Sequence, residues 1–222
     1  MAKVNLRIPL KLKLYLFLSK FSKKKNNISF SIDEPKKIRD GEDLPIDALK
    51  EYLNSHNFNT KDLSIEQFPS GYSNLTYFLK TDKKEYVLRR PPFGADSLKG
   101  GHDMSREYRV LSKLKAEFEK VPDVHLYTED KSIIGAPFYI MDCVKGYILR
   151  PNLLQENAPD AHTISKIADS LIDTFVSLHQ VDIDKSGLND FGKIDGYVSR
   201  QVSGWTERYF HAKTDEIPEM EF

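Results

Sequence analysis

The sequence has almost no cysteine, no net charge and no long apolar run. Cys143 is the single cysteine among 222 residues, so the chain forms no internal disulfide or cysteine-based zinc site, and a reducing cytoplasmic compartment fits best. Basic and acidic residues number 33 each, so no overall charge favours a nucleic-acid partner. No apolar stretch approaches the roughly 20 residues that cross a bilayer, and we expect no transmembrane segment.

Residues 1–30 form a basic segment that differs from the rest of the chain. Leucine alternates with lysine or an aromatic residue over residues 10–25. The uncharged stretch from Leu14 to Leu18 is shorter than the roughly 7–15 residues of a signal-peptide core. We expect a mobile extension that makes weak contacts with a membrane surface or a partner.

A D-F-G tripeptide at residues 190–192 points towards protein kinases, in which such an aspartate holds magnesium. The kinase pattern also needs an H-R-D segment upstream, and residues 181–183 are V-D-I instead. Asn189 and Asp190 are neighbours, and neighbouring side chains in an extended segment point to opposite sides. We therefore interpret the tripeptide as a loop.

The six histidines form no H-x-x-x-H pair, so we expect no metal site from them.

Hydrophobic periodicity predicts an α+β chain with a sheet followed by helices. The strand candidates are residues 62–68, 75–81, 85–90, 124–128 and 136–144. The helix candidates are residues 43–56, 103–120, 162–180 and 196–210. The first three strands are joined by short polar turns and should form an antiparallel meander, and the chain should become helical after Gly146.

The third strand carries the first candidate binding residues. Alternation along a strand puts Val87 and Arg89 on one face, where the arginine would hold a cation over phosphates and the valine would lie against a base. A solvated charge at a strand end is the simpler interpretation, and Arg90 is the alternative by register. The S-G-Y-S-N turn at residues 70–74 offers N–H groups and hydroxyls to phosphate, but ordinary hairpin turns have the same composition.

Two further segments complete a candidate nucleotide site. Glu107 lies in the first turn of the helix that follows Asp103, where a carboxylate suits the helix dipole. The same carboxylate could pair with the strand cation and orient it, as in kinases. Residues 139–144 form an apolar strand with a polar break, so their backbone could face adenine with Met141 behind it. A buried strand leaving the core is the alternative.

Four segments, taken together, resemble the aminoglycoside phosphotransferase-like, or choline-kinase-like, superfamily over residues 38–212. The segments are QFPSGYSNLTYFLKTDKKEYVLRRPPFG, REYRVLSKL, IGAPFYIMDCVKGYIL and LHQVDIDKSGLNDFGKIDGYVSRQVSGWTERY. The resemblance is to the branch that is also fused to acyl-CoA dehydrogenases. It implies a protein-kinase-like fold: an extension over 1–37, a nucleotide-binding N-lobe with a five-stranded antiparallel sheet and one helix over 38–145, and a partial helical C-lobe over 146–222.

The resemblance implies transfer of the ATP γ-phosphoryl group to the hydroxyl of a small molecule, with Mg²⁺. It also implies which residues contact the nucleotide. These are Ser70, Gly71, Ser73, Asn74, Val87, Arg89, Glu107, Met141, Asp142, Cys143 and Val144. Arg89 stands where kinases usually have a lysine. In this branch the D-F-G segment belongs to the helical lobe and precedes the catalytic loop.

Two family segments are absent from the sequence. No catalytic H-G-D occurs, and no D-x-E or D-x-D metal segment follows one, so no catalytic residue is assigned. We expect a truncated form with little or no kinase turnover. The alternatives are a non-catalytic, pseudokinase-like module that binds a nucleotide or partner, and an unrelated α+β protein. For the substrate, the acyl-CoA dehydrogenase fusions favour a hydroxyacyl compound over an antibiotic.

Overall fold

The computed structural model describes most of the chain and divides it into two compact units. The described residues are 28–32, 34–69, 73–94, 102–151, 159–193, 195–215 and 217–218. The first unit is Met1–Asp182 and the second is Ile183–Phe222. The expected extension lies outside the described residues over 1–27. Within the described residues, no helix combines the length and the apolarity that a bilayer crossing requires.

The described segments contain seven strands and five helices. The strands are β1 (Ile28–Ile32), β2 (Ser64–Gln67), β3 (Leu75–Lys80), β4 (Glu85–Arg90), β5 (Val124–Thr128), β6 (Phe138–Asp142) and β7 (Tyr147–Pro151). The helices are α1 (Ile46–Ser55), α2 (Met104–Leu114), α3 (Lys131–Ile134), α4 (Ala161–His179) and α5 (Tyr197–Ala212). Helix α3 is one turn long, too short for periodicity to predict.

A five-stranded antiparallel sheet forms the centre of the first unit, which confirms the predicted α+β class. The strand order is β2-β3-β4-β6-β5. Strands β2 to β4 form the predicted meander, and β6 inserts between β4 and β5. The segment that leaves β6 therefore begins beside the strand of Arg89.

One face of this sheet packs against α1 and α3 to form the core. The cluster contains Leu44, Leu49, Leu53, Leu75, Tyr77, Leu79, Leu88, Leu126, Ile133, Ile134, Phe138 and Ile140. Alternate residues of β3 and β6 supply this face, as expected for strands that bury one side. Full burial of one such aliphatic side chain is worth about 1.5–3 kcal/mol, so this layer holds the sheet in place.

The opposite face of the sheet carries the candidate binding residues in two rows. The antiparallel register gives one row of Phe78, Val87 and Met141, and the next of Thr76, Arg89 and Tyr139. Val87 and Arg89 therefore share a face, as strand alternation predicts. Helix α2 lies against this face, because its Glu107 contacts both Arg89 and Tyr139.

Helix α2 begins where the sequence predicts and ends earlier. Asp103 is its N-cap and accepts a hydrogen bond from the Arg106 N–H at 2.9 Å. The predicted helix runs to residue 120, whereas α2 ends at Leu114. The Lys115 ammonium donates to the carbonyls of Glu119 and Val121 at 3.2 and 2.8 Å, and this local bonding closes a turn instead of another helical turn.

Strands β1 and β7 form a separate two-stranded antiparallel sheet. β1 lies within residues 1–37, the range expected to be an extension, so the end of that range belongs to a sheet. β7 follows Gly146, where the chain is expected to become helical; the helical region starts at α4 instead. The domain boundaries at 38–145 and 146–222 otherwise stay predictions.

The two long helices follow different start signals. Asp160 caps α4 and accepts a hydrogen bond from the Thr163 N–H at 2.7 Å. In the second unit, α5 follows Gly196, whose φ of +68° lies in the left-handed region that glycine adopts most readily. The D-F-G tripeptide precedes α5 in a turn and bend, which confirms the interpretation of residues 190–192 as a loop.

Candidate functional site

Arg89 and Glu107 form an ion pair between β4 and α2. Arg89 Nε lies 3.1 Å from Glu107 Oε2, and Nη2 donates a long hydrogen bond of 3.5 Å to Oε1. The two side chains are 30% and 33% exposed. The pair is therefore accessible to a ligand, while its charges are partly withdrawn from water.

One nitrogen of this pair is a buried donor without a hydrogen bond. Glu107 Oε2 lies within ion-pair distance of Arg89 Nε, but the Nε–H group makes no hydrogen bond. The distance is short enough, but the Nε–H bond does not point at the carboxylate oxygen, and a hydrogen bond weakens steeply when it is misaligned. Buried donors are normally satisfied. A small shift of the guanidinium, towards Glu107 or towards a ligand oxygen, would satisfy this one.

The Glu107 carboxylate is held by two neutral side chains as well as by arginine. Asn74 Nδ2 donates to Oε1 and Tyr139 Oη donates to Oε2, each at 2.8 Å. Burial raises the pKa of the Tyr139 hydroxyl far above its ordinary value; the Arg89 charge opposes this and the Glu107 carboxylate adds to it. The Tyr139 hydroxyl therefore stays protonated and donates a hydrogen bond to Glu107. Donors on both oxygens fix the orientation of the carboxylate.

Asn74, expected beside a phosphate, is buried and bonded within the protein. With its amide nitrogen directed at Glu107, its Oδ1 accepts from His102 Nδ1 at 2.8 Å, so His102 carries its proton on Nδ1 in this arrangement. Asn74 thus connects the turn before β3 to the loop before α2. A direct nucleotide contact by Asn74 stays a prediction.

Sequence patterns do not predict the contacts of Tyr139 and His102. The signal for Tyr139 is its place opposite Arg89 in the sheet, which follows once β4 and β6 are known to pair. No local pattern marks His102, because its contact with Asn74 joins two loops that are distant along the chain.

The segment Met141–Val144 leaves the sheet next to Val87. Met141 is the register partner of Val87, so both can contact one ligand. The Asp142 N–H donates to the Asp123 carbonyl at 2.8 Å, and the Cys143 N–H donates to the Glu85 carbonyl at 3.3 Å. Val144 is 73% exposed, and no hydrogen bond among the described residues uses its N–H.

The Asp142 side chain points into a polar cluster at the end of β6. Lys84 Nζ and His125 Nε2 lie 2.7 and 2.5 Å from Asp142 Oδ1. Burial is the largest single effect and raises the pKa of this carboxyl, but the bonds from Lys84 and His125 outweigh it and leave the pKa below its ordinary value. The Asp142 carboxylate is therefore engaged within the protein, and a nucleotide contact by Asp142 stays a prediction.

Arg90, the alternative cation by register, is directed to the other face. It is buried, and its Nε and Nη1 donate to the carbonyls of Pro91 and Ile134 at 3.0 and 2.9 Å. Its guanidinium also lies 3.8 Å from the centre of the Phe93 ring. Arg90 is thus part of the packing around α3, and Arg89 is the cation on the α2 face.

The turn that was expected to cover phosphates is described only in part. Ser70 and Gly71 lie outside the described residues, and Ser73 is exposed. At the other end of the site, burial raises the pKa of the Cys143 thiol. Contacts of Ser70, Gly71, Ser73 and Cys143 with a nucleotide stay predictions.

A metal centre is not found in the part of the chain that the structure describes. No three His, Cys, Asp or Glu residues there are grouped so that they could hold an ion. An open groove of about 450 Å³ lies at the β3–β4 turn, where Lys84 and Lys145 already pair with Asp142 and Glu85. The ion pair of Arg89 lies outside this groove.

Sequence comparison identifies the family to which this chain belongs. A model of the phosphotransferase enzyme family matches residues 64–222, which is most of the chain. The chain belongs to the phosphotransferase enzyme family. The match begins at the first residue of β2, so it includes the whole five-stranded sheet of this family member.

Curated relatives of this phosphotransferase family member are much longer than the chain. Acyl-CoA dehydrogenase family member 11 of Gallus gallus is 39% identical over 158 residues, which cover 71% of this chain and 20% of the relative. Acyl-CoA dehydrogenase family member 10 of Mus musculus is 35% identical over 180 residues, which cover 80% of this chain and 17% of the relative. The chain thus spans about a fifth of these relatives.

A solved structure supports the same assignment. The 2.32 Å crystal structure of a candidate aminoglycoside phosphotransferase from Ralstonia eutropha JMP134 matches with a TM-score of 0.61 and 33% identity. The match covers 79% of this chain and 50% of that chain. Together with the sheet order, these comparisons confirm the predicted superfamily resemblance and the kinase-like α+β fold.

Proposed function

We propose that this chain is the nucleotide-binding part of a phosphotransferase that uses ATP to phosphorylate the hydroxyl group of a small molecule. The observation that carries the proposal is the Arg89–Glu107 pair beside the Val87–Met141 row, on one face of the family's sheet. A cation next to an apolar row suits a ligand with an anionic end and a flat apolar end. A nucleoside triphosphate has this layout.

At the anionic end of the ligand, Arg89 would bind the phosphates and Glu107 would hold Arg89 in position. The planar guanidinium can donate two parallel hydrogen bonds to phosphate oxygens, which the usual lysine cannot. Glu107, held by Asn74 and Tyr139, keeps the guanidinium in one orientation. A positioned cation loses less side-chain freedom on binding and therefore binds more tightly.

At the apolar end of the ligand, two side chains would contact the base and one backbone N–H group would orient it. Val87 and Met141 would lie against the base from neighbouring strands. The Asp142 and Cys143 N–H groups donate to the Asp123 and Glu85 carbonyls, whereas no hydrogen bond among the described residues uses the Val144 N–H. A purine ring nitrogen would accept from it.

The reaction breaks the bond between the γ-phosphorus and its bridging oxygen and forms one to the substrate oxygen. The substrate hydroxyl must pass its proton to a base. The sequence has no H-G-D segment to supply that base, and the residues described do not form a cluster that fits Mg²⁺. We therefore propose that this chain binds nucleotide and does not turn it over by itself.

For the substrate we propose a hydroxylated acyl compound. The support is that the curated relatives from Gallus gallus and Mus musculus carry the name of acyl-CoA dehydrogenases. An antibiotic is the alternative that the name of the Ralstonia protein favours. We also propose a cytoplasmic location, supported by the single cysteine of the sequence.

Calorimetric titration with ATP tests the nucleotide site. Arg89→Ala removes the cation and Glu107→Ala removes its positioning, and we expect each to weaken ATP binding at least about tenfold. Lys83→Ala removes an exposed lysine from the β3–β4 turn and serves as the matched control, with unchanged binding. If both site variants bind ATP as the wild type does, the proposal fails.

A non-catalytic binding module is the second candidate, because the H-G-D segment is missing from the sequence. An experiment can distinguish the two functions if the chain is joined to the half of the Ralstonia protein that the structural match does not cover. A phosphotransferase part should then consume ATP in the presence of a hydroxylated acceptor. Binding of ATP by the joined protein without ADP formation would favour the module.

A further inference from the structure

Strand β5 carries a β-bulge at the point where β6 ends. Val124 lies opposite Met141 and Leu126 lies opposite Ile140. His125, between the first and the second of these pairs, therefore has no register partner and is the extra residue of the bulge. A bulge turns a side chain out of the regular alternation, and bulges are frequent beside functional sites. This one directs an imidazole at the carboxylate that follows Met141.

Two donors meet on that carboxylate. Asp142 Oδ1 lies 2.5 Å from His125 Nε2 and 2.7 Å from Lys84 Nζ. Because a carboxylate only accepts hydrogen bonds, the imidazole carries a proton on Nε2. Hydrogen bonds with an ionised partner are roughly twice as strong as neutral ones, so these two contacts hold the Asp142 side chain firmly.

Aromatic packing holds the imidazole in turn. The ring centre of His125 lies 5.5 Å from that of Tyr86 and 6.5 Å from that of Phe58, with the ring planes at 90° and 82°. Such edge-to-face arrangements are the favourable ones for aromatic rings. His125 is therefore a donor with a fixed place rather than a surface side chain that could turn away.

This cluster lies on the side of the sheet opposite the expected ligand. Tyr86 and Asp142 are register partners, directly next to the Val87–Met141 row. Successive side chains of a strand point to opposite faces, so Asp142 and its donors lie behind the face that carries Val87 and Met141. The sheet separates His125 from a ligand on that face. The imidazole can affect such a ligand only through the position of the backbone.

The backbone after Asp142 has few other restraints. The Cys143 N–H donates to the Glu85 carbonyl at a long 3.3 Å, and Val144 is 73% exposed. Lys145 Nζ lies 2.7 Å from Glu85 Oε2, but this lysine side chain is 76% exposed and such a surface pair contributes little. The bonds to the Asp142 carboxylate are therefore the strongest side-chain restraint on this segment.

We propose that His125 and Lys84 are positioning residues for the base end of the nucleotide. They hold Asp142 from behind the sheet and so fix the point at which the Met141–Val144 segment leaves β6. This fixes the place of the Val144 N–H in turn. A donor that is held before binding loses less freedom on binding and therefore binds more tightly. The inference rests on the proposed nucleotide site and adds two residues that do not contact the ligand.

Calorimetric titration with adenosine and with ATP tests the roles of His125 and Lys84. His125→Leu removes the N–H donor and keeps an apolar side chain, and Lys84→Met removes the charge and keeps a long unbranched one. Both ligands contain the base, so we expect each variant to weaken the binding of both by the same factor, about threefold or more. Arg89→Ala, in contrast, should weaken the binding of ATP alone.

Two further variants serve as rescue and control. His125→Gln should bind both ligands nearly as the wild type does, because its amide can place an N–H group where the imidazole Nε2 lies. Lys83→Met removes the neighbouring exposed ammonium of the β3–β4 turn and should change neither affinity. Circular dichroism at the titration temperature checks that every variant is folded.

Wild-type affinities in His125→Leu and Lys84→Met would overturn the inference, and so would a loss in His125→Gln as large as that in His125→Leu. A loss confined to ATP would also overturn it, because the effect would then lie at the phosphates. All three results leave the proposed site intact if Arg89→Ala still weakens ATP binding. If Arg89→Ala and Glu107→Ala both bind ATP as the wild type does, the proposed site fails and the inference fails with it.

Discussion

Glu107 is the residue on which the candidate site depends most. Side chains from β4, β6 and the turn before β3 converge on it through Arg89, Tyr139 and Asn74. A carboxylate with donors on both oxygens has little freedom to rotate, so the guanidinium beside it has one preferred place. The site therefore depends on tertiary contacts that no single segment of the sequence contains.

Tyr139→Phe should weaken this arrangement without opening a cavity, because only the hydroxyl is lost. We expect the free energy of unfolding to fall by about 1 kcal/mol, the usual worth of one hydrogen bond. Urea denaturation measures the change. Tyr127→Phe is the control: its hydroxyl bonds the exposed Glu129, so the loss should stay below about 0.5 kcal/mol. Equal losses in both variants would show that the Tyr139 bond has no special weight.

The lowered pKa of Asp142 predicts a specific acid dependence. A carboxyl with a depressed pKa stabilises the fold at pH above its ordinary value of 3.8, and the stabilisation is lost as the pH falls through the folded-state pKa. Asp142→Asn should therefore be less stable than wild type at neutral pH, with a difference that shrinks in acid. Urea midpoints across this range measure it.

Asp62→Asn, at an exposed turn position before β2, is the control for this acid dependence. It should show a constant, small difference from wild type. A difference for Asp142→Asn that did not change with pH would contradict the role of Lys84 and His125.

Strand alternation predicted correctly that Val87 and Arg89 share a face of the sheet. Alternation puts Val87 and Arg89 on one face because side chains of a strand have a period of two. It could not choose between Arg89 and Arg90 without knowing which face bears α2. The contacts of Glu107 with Asn74 and Tyr139 escaped prediction because these residues meet only after the sheet and α2 have packed.

At the scale of the element, α2 controls where Glu107 lies. Its start is fixed by Asp103, so loss of that cap should loosen the turn that contains the carboxylate. We expect Asp103→Ala to lower the free energy of unfolding by about 1 kcal/mol. Thermal denaturation followed by circular dichroism measures the loss.

Asp43→Ala provides a matched control for this cap. Asp43 is near the start of α1, but the N-cap residue there is Pro45 and no side chain bonds the helix end. The substitution should change the stability by less than about 0.5 kcal/mol. A loss as large as that of Asp103→Ala would mean that the two helix starts do not differ in this way.

The elements that the sequence predicts best are those whose pattern is local. β3, β4, β5 and α4 show clear periodicity, and their bounds differ from the predicted ones by at most a few residues. The pairing of β1 with β7 joins distant segments, and the alternation I-S-F-S-I alone does not identify a partner. The early end of α2 depends on lysine bonds to a following turn, which periodicity does not register.

At the scale of the whole molecule, the chain is much shorter than the relatives that it matches. It spans about a fifth of the acyl-CoA dehydrogenase relatives and half of the Ralstonia chain. The chain contains the sheet, the ion pair and the segment beside Val87. Nucleotide binding is the activity that we propose for it.

A double-mutant cycle on ATP affinity tests the central claim most directly. The four proteins are wild type, Arg89→Ala, Glu107→Ala and the double variant, and adenosine serves as a ligand without phosphates. If Glu107 acts by positioning Arg89, the double variant should bind ATP no more weakly than Arg89→Ala, with a coupling of about 1 kcal/mol or more and little change for adenosine. Equal ATP affinity in all four proteins, or losses that simply add, would contradict the account.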